Sequence, residues 1–251
     1  MNDELTKLWP EAIRRMRERT PARVLDGRAG ASYRTRSQLD LREAHAAAVD
    51  AVRDELDLNA TLGPAVVSQH GLFEVTTLAT SKAEYLLRPD LGRRLSDDAR
   101  STVVARCGSG ADLQVTIGDG LSVAAVAAQV PQLLPLLLQG AMRRGWTAGQ
   151  PFVVRHCRVG ILNDIGEVLS PTVAVLLIGE RPGLATAESL SAYLAFRPKC
   201  NDSDADRNLV SNIHARGTPP ALAATRILDM VSAMMLQQVS GTKLNLPSLP
   251  S

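Results

Sequence analysis

The 251-residue sequence predicts a mixed α/β protein, with a mainly helical region over residues 1–110 and a mostly parallel sheet domain over residues 111–251. Three observations carry that prediction. Apolar residues recur at helical spacing before residue 110. From about 111 to 239, short β-branched runs alternate with helical runs, the pattern of a parallel sheet covered by helices. The strand candidates also end in glycine-bearing turns.

Taken in order, Pro10 suits the first turn of a helix. Ser37 is placed to cap a helix running to about Leu56, with Leu41, His45, Ala48 and Val52 on one face. On that stripe His45 reads as a core histidine rather than a ligand. Residues 23–37 hold Gly27, Gly30, Arg23, Arg28, Arg34 and Arg36 and read as a basic, solvated connector. Asp97–Arg106 is a further helix. Residues 113–117 form a strand that ends in Gly118-Asp119-Gly120, after which Ser122 can cap a helix carrying Val123, Val126, Ala127 and Val130. Pro131 is expected to end or kink that helix, with a second apolar run continuing to Gly145. Phe152–Arg155, residues 172–178 and residues 191–196 are the next strands; the second is almost wholly apolar, as a strand covered on both faces would be. Thr218 is placed to cap a last helix with Pro219 in its first position and Ile227, Met230, Val231 and Met234 on one face. The tail from Ser240 is expected to fray. The region boundary falls near residues 108–111, and the second region reads as Rossmann-like.

In such a sheet, ligands bind at the carboxyl ends of the strands. Three turns fall there: residues 118–122, 156–159 and 179–183, two of them rich in glycine that admits a ligand close to the backbone. Several chemistries find no support. The 28 basic and 26 acidic residues leave a net charge of +2, which argues for neither nucleic acid nor a membrane surface. Cys107, Cys157 and Cys200 are far apart and read as reduced thiols. No apolar run reaches the roughly 18 residues of a membrane span, and the N-terminus lacks a signal-peptide core, so a cytoplasmic location is expected. Gly118-x-Gly120-x-x-Val123 lacks the third glycine of a dinucleotide fingerprint, and no phosphate-binding GxxxxGK[ST] occurs. No histidines or cysteines have metal-ligand spacing. A free-standing nucleotide-binding enzyme stays open as an alternative.

Several blocks carry a more specific signal. They are Gly27-Arg28-Ala29-Gly30 with Thr35, Leu39, His45 and Asp50-Ala51-Val52; the run Tyr85-Leu86-Leu87-Arg88-Pro89-Asp90-Leu91-Gly92-Arg93-Arg94-Leu95; and Asp119-Gly120-Leu121-Ser122. Arg158-Val159 with Asp164-Ile165-Gly166-Glu167 follows, then Gly179-Glu180-Arg181-Pro182-Gly183-Leu184 with Glu188-Ser189-Leu190 and Tyr193. The last is Asp206-Arg207-Asn208 with Ser211-Asn212-Ile213 and Gly217. In order and spacing, over about residues 23–240, the set resembles the small (light) subunit of the adenosylcobalamin-dependent ethanolamine ammonia-lyases.

The resemblance implies a carbon–nitrogen lyase that converts ethanolamine to acetaldehyde and ammonia. It pairs a large TIM-barrel subunit with this small one in a hetero-oligomer, with adenosylcobalamin between them. Cobalt–carbon homolysis supplies the radical chemistry, and the substrate site belongs to the large subunit, so no catalytic residue and no protein metal ligand is assigned here. The cobalamin-binding positions implied by the resemblance are Val159, Glu180 and Leu209. Two features depart from the family: Leu209 stands where Cys is frequent, and Cys157 where Gly is frequent. They keep a second reading open, an assembly subunit without cofactor contact. The sequence has no Asp-x-His-x-x-Gly, so the cofactor is expected to stay base-on. Family members often carry a longer N-terminal extension tied to packaging in bacterial microcompartments; this sequence starts close to the shared part, and encapsulation stays open.

Overall fold

The structure, a computed structural model, describes residues 10–20, 22–24 and 28–246. Gly27, one of the glycines of the basic connector, lies outside them. The first elements are α1 (Glu11–Glu18), the two-residue strands β1 (Arg28–Ala29) and β2 (Ser32–Tyr33), and α2 (Thr35–Arg53). Short helices α3 (Leu58–Leu62) and α4 (Pro64–His70) lead into β3 (Glu74–Thr76), followed by α5 (Lys82–Leu87) and α6 (Asp97–Arg106). The remainder runs β4 (Leu113–Gly118), α7 (Val123–Arg143), β5 (Phe152–Arg155), α8 (Ile161–Leu169), β6 (Val173–Gly179), β7 (Leu190–Phe196), β8 (Asn208–Ile213) and α9 (Pro220–Gln237).

Six strands form one sheet in the order β3-β5-β4-β6-β7-β8. The first four are mutually parallel; β7 and β8 add on antiparallel. β3, from before residue 111, is the edge partner of β5. Side chains alternate between two cores. Val173, Val175 and Leu177 join Leu113, Val115 and Ile117 beneath α7 and α9, while Ala174, Leu176 and Ile178 pack with Phe152 and Val154 beneath α6 and α8. Because helices cover both faces, β4 and β6 are buried along their whole length; β6 is wholly apolar, while β4 also buries Gln114 and Thr116.

Several expectations from the sequence are corrected. The helix expected from Ser37 to about Leu56 begins at Thr35 and ends at Arg53, and Arg34 precedes it with no side-chain cap. His45 is exposed; the other three expected positions, Leu41, Ala48 and Val52, are half-buried, and Ala44 and the buried Ala51 complete the packed face in its place. Pro131 does not divide the following helix. α7 runs unbroken through Pro131 and Pro135. An interior proline costs about 3 kcal/mol, and burial of ten α7 residues between the sheet and α9 outweighs it. Joined in this way, α7 is long and apolar enough to cross a membrane by length and composition, although here it supplies the core of the larger cluster. Thr218 sits one residue before the cap: Pro219 precedes α9, and the Thr218 carbonyl instead accepts the His214 N–H at 3.1 Å. The tail is anchored as far as Asn245, whose backbone N–H and carbonyl both bond the Gln237 side chain. The Ser240 hydroxyl accepts the Phe196 N–H and donates to the Asp206 carbonyl, and Gly241 N–H donates to the Asn208 side chain.

Candidate functional site

The parallel register puts the carboxyl ends of β4, β5 and β6 at one edge of the sheet, with Gly118 beside Val154 on one side and Ile178 on the other. All three turns singled out from the sequence therefore meet there. At the end of β4 the chain turns sharply at Gly120, whose φ of +56° favours glycine. Gly120 also lies so close to β6 that a Cβ would overlap the Gly179 carbonyl oxygen, and that oxygen accepts the Leu121 N–H at 3.1 Å. Ser122 then caps α7 by accepting the Ala125 N–H.

The turn after β5 is tied to the one after β4 by Asp119, which is fully buried. Asp119 Oδ2 accepts the His156 N–H at 2.9 Å and Oδ1 the Cys157 N–H at 2.8 Å. Lys82, also buried, places its Nζ 3.4 Å from Asp119 Oδ2 and 3.3 Å from the Gly120 carbonyl. The Tyr85 hydroxyl donates to the Cys157 carbonyl, the Thr77 hydroxyl to the His156 carbonyl, and the Arg158 N–H to the Gly92 carbonyl. His156 sits at φ +56°, a conformation uncommon for a residue other than glycine. Its ring stacks on Tyr85 and bonds the Ala79 carbonyl and Glu55. Burial, reinforced by the Asp119 charge, pushes the Tyr85 hydroxyl and the Cys157 thiol well above their ordinary ranges, which favours the protonated form of both.

Glu180 leaves the end of β6. Its carboxylate accepts the Ser189 hydroxyl at 2.6 Å, the Ser191 hydroxyl at 2.7 Å and the Asn212 N–H at 2.8 Å. A carboxylate has about four acceptor positions, so the chain's own donors occupy most of them and fix the group in place. Val159, Glu180 and Leu209 line a single cleft of about 400 Å³. Tyr85, Gly120, Cys157, Gly179 and Tyr193 complete much of its wall. Leu209 is 44% exposed and pairs across the sheet with Tyr193. A more polar cleft of about 700 Å³ adjoins it through Arg158 and Val159, and its carboxylates are largely matched from within: Asp164 pairs with Arg100, Asp204 with Arg207 and Asp90 with Arg88. Among the described residues, no group of histidine, cysteine or acidic side chains is arranged to hold a metal ion.

Sequence reasoning selected the turns and three cleft residues but passed over Lys82 and left Asp119 without a role. A usable signal existed for Lys82: it lies three residues before Tyr85, one helical turn away, and the two side chains do meet, with Nζ 5.2 Å from the ring centre.

Fold and cleft together define an α/β protein with an open, largely apolar cleft at the carboxyl edge of its sheet. The family profile described as ethanolamine ammonia-lyase light chain (EutC) matches residues 10–245. Proteins named ethanolamine ammonia-lyase small subunit from Clostridium perfringens and Clostridioides difficile are each 39% identical over 234 residues, covering 93% of this chain and 77% and 78% of theirs. One from Fusobacterium nucleatum is 39% identical over 236 residues, covering 94% of this chain and 78% of its own. The chain belongs to the ethanolamine ammonia-lyase light-chain family.

Proposed function

We propose that this chain is the small subunit of an adenosylcobalamin-dependent ethanolamine ammonia-lyase in the cytoplasm, pairing with a large catalytic subunit and forming one wall of the cobalamin site. The observation that carries the proposal is the convergence of Val159, Glu180 and Leu209, from three separate segments, on one cleft at the carboxyl edge of the sheet. The residues present fit the group. A corrin is rimmed by apolar carbons and amide side chains. Val159, Leu209 and Tyr193 offer apolar contact, Glu180 retains acceptor capacity for an amide N–H, and the Gly120–Gly179 approach keeps the wall flat. The cleft is far smaller than a cobalamin, so the chain provides an edge and the partner subunit the remainder.

When bound, the cofactor supplies radical chemistry that no side chain in this cleft provides. The chain's own part is to bind and orient. Glu180 accepts from the amide rim, Val159 and Leu209 exclude water from the ring edge, and the buried Tyr85 and Cys157 hold their protons. The experiment is co-purification with an ethanolamine ammonia-lyase large subunit, followed by corrinoid titration and assay of ammonia release. A complex that binds corrinoid and turns over, while the small subunit alone does not, is the expected result. A complex that turns over with no loss of cofactor affinity on changing Val159, Glu180 and Leu209 would favour the assembly-only reading, for which Leu209 and Cys157 are the specific arguments.

A further inference from the structure

We propose that Asp119, neutralised by Lys82, is a positioning residue that sets the Val159 wall of the cofactor cleft; this rests on the cobalamin-site reading above. Asp119 belongs to the Asp-Gly-Leu-Ser block, and nothing in the proposed function uses it. It does not line the cleft, yet it is fully buried with both oxygens occupied. What it binds is informative: two successive backbone N–H groups, those of His156 and Cys157, immediately before Arg158 and Val159.

The turn is determined group by group. Asp119 takes both N–H groups; Thr77 and Tyr85 take the two following carbonyls; Gly92 takes the Arg158 N–H. A Cβ on Gly92 would stand 2.7 Å from the His156 carbonyl oxygen, so no side chain can intervene there. The left-handed backbone of His156 is unfavourable alone, and the bidentate carboxylate contact is what offsets it. Asp119 is also joined by its backbone to Gly120, the residue that abuts Gly179. One side chain therefore couples two walls of the cleft, the one carrying Val159 and the one leading to Glu180. A buried carboxylate is retained only when paired. Lys82 meets that need and simultaneously binds the Gly120 carbonyl, fixing the corner of the second wall.

The test is a cobalamin titration of the assembled complex of large and small subunits carrying Asp119→Asn or Lys82→Met, beside wild type and Glu180→Ala, with kcat and apparent KM for adenosylcobalamin measured on the same preparations. Asparagine offers one acceptor oxygen and turns an amide donor toward the second N–H. Asp119→Asn should therefore raise the cobalamin Kd by roughly ten- to a hundredfold. Lys82→Met keeps the apolar packing on Tyr85 and should raise Kd by about tenfold. In both variants the loss should fall on Kd and KM far more than on kcat, a split that general loss of folded enzyme does not produce. Assembled complexes whose Kd stays within about twofold of wild type would overturn the proposal. Failure of both variants to assemble, or a fall in kcat with Kd unchanged, would overturn it too by assigning the pair to folding alone. A wild-type complex that binds no corrinoid would sink the cobalamin-site reading itself, whereas weakening in Glu180→Ala but not in Asp119→Asn or Lys82→Met would sink only this inference.

Discussion

The Glu180 carboxylate accepts the backbone N–H of Asn212 at 2.8 Å, so the residue proposed to face the cofactor also clasps the edge strand β8 to the end of β6. Asn212 has φ +57°, and its side chain bonds His214 in turn. The strand that carries Leu209 is thus held by the same group that is proposed to bind the corrin rim.

Glu180→Ala should therefore have two effects. Cobalamin affinity should fall by roughly ten- to a hundredfold, as expected for losing an acceptor worth about 1.5–3 kcal/mol. Loss of the bonds to Ser189, Ser191 and Asn212 should also lower folding stability by about 1–3 kcal/mol. Glu180→Gln keeps one acceptor oxygen and should do less harm on both counts. Titration of the complex and chemical denaturation of the same samples separate the two effects; unchanged affinity with reduced stability would leave Glu180 a structural clasp.

Gly120→Ala should be costly although it adds a single methyl. The residue would take a left-handed conformation at about 1–2 kcal/mol and press its Cβ on the Gly179 carbonyl, adding about 1–3 kcal/mol. A destabilisation of about 2–5 kcal/mol, read from denaturant midpoints, is expected. Gly30→Ala is the control for conformation without a clash. Gly30 also has positive φ but open space around it, so only the first contribution should be seen.

Glu55 predicts a pH dependence. Burial alone would raise its pKa, but hydrogen bonds and charge from Arg155 and His156 together bring it below the ordinary 4.5. A folded pKa below the unfolded one gives stability that is present above the unfolded value and lost as pH falls through the folded one. The gap in thermal midpoint between wild type and Glu55→Gln should be full at about pH 6 and should close as pH falls below about 4.5. A gap that is constant across that window would show that the ion pairs contribute nothing.

The three thiols should differ in reactivity. Burial pushes Cys107 up to about 11 and Cys157 well above its ordinary value, while Cys200 is exposed. Alkylation of the folded small subunit near pH 8 should label Cys200 and spare the other two, and all three should react after denaturation. Mass spectrometry of digested samples reads this directly. Labelling of Cys157 in the folded chain would contradict the closed turn around it.

The sequence alone determined the local and periodic features. β4, β5, β6 and α6 were legible because the strands are rich in β-branched and other apolar residues and the helix follows a capping serine, and those preferences act within a few residues. Ordered blocks over most of the chain determined the family, and the resemblance they carry is the ground on which Val159, Glu180 and Leu209 are proposed as cofactor contacts. Tertiary structure decided the rest. The continuity of α7 through two prolines, the register of α2 that leaves His45 exposed, and the addition of β3 and β8 to the sheet depend on packing partners distant in sequence. The support of the cleft follows the same rule. Lys82, Asp119 and the His156–Cys157 backbone are separated by 37 residues at each step. No local pattern records that a carboxylate will be buried there, because its cost is met only when the folded chain brings its lysine and its two N–H groups together.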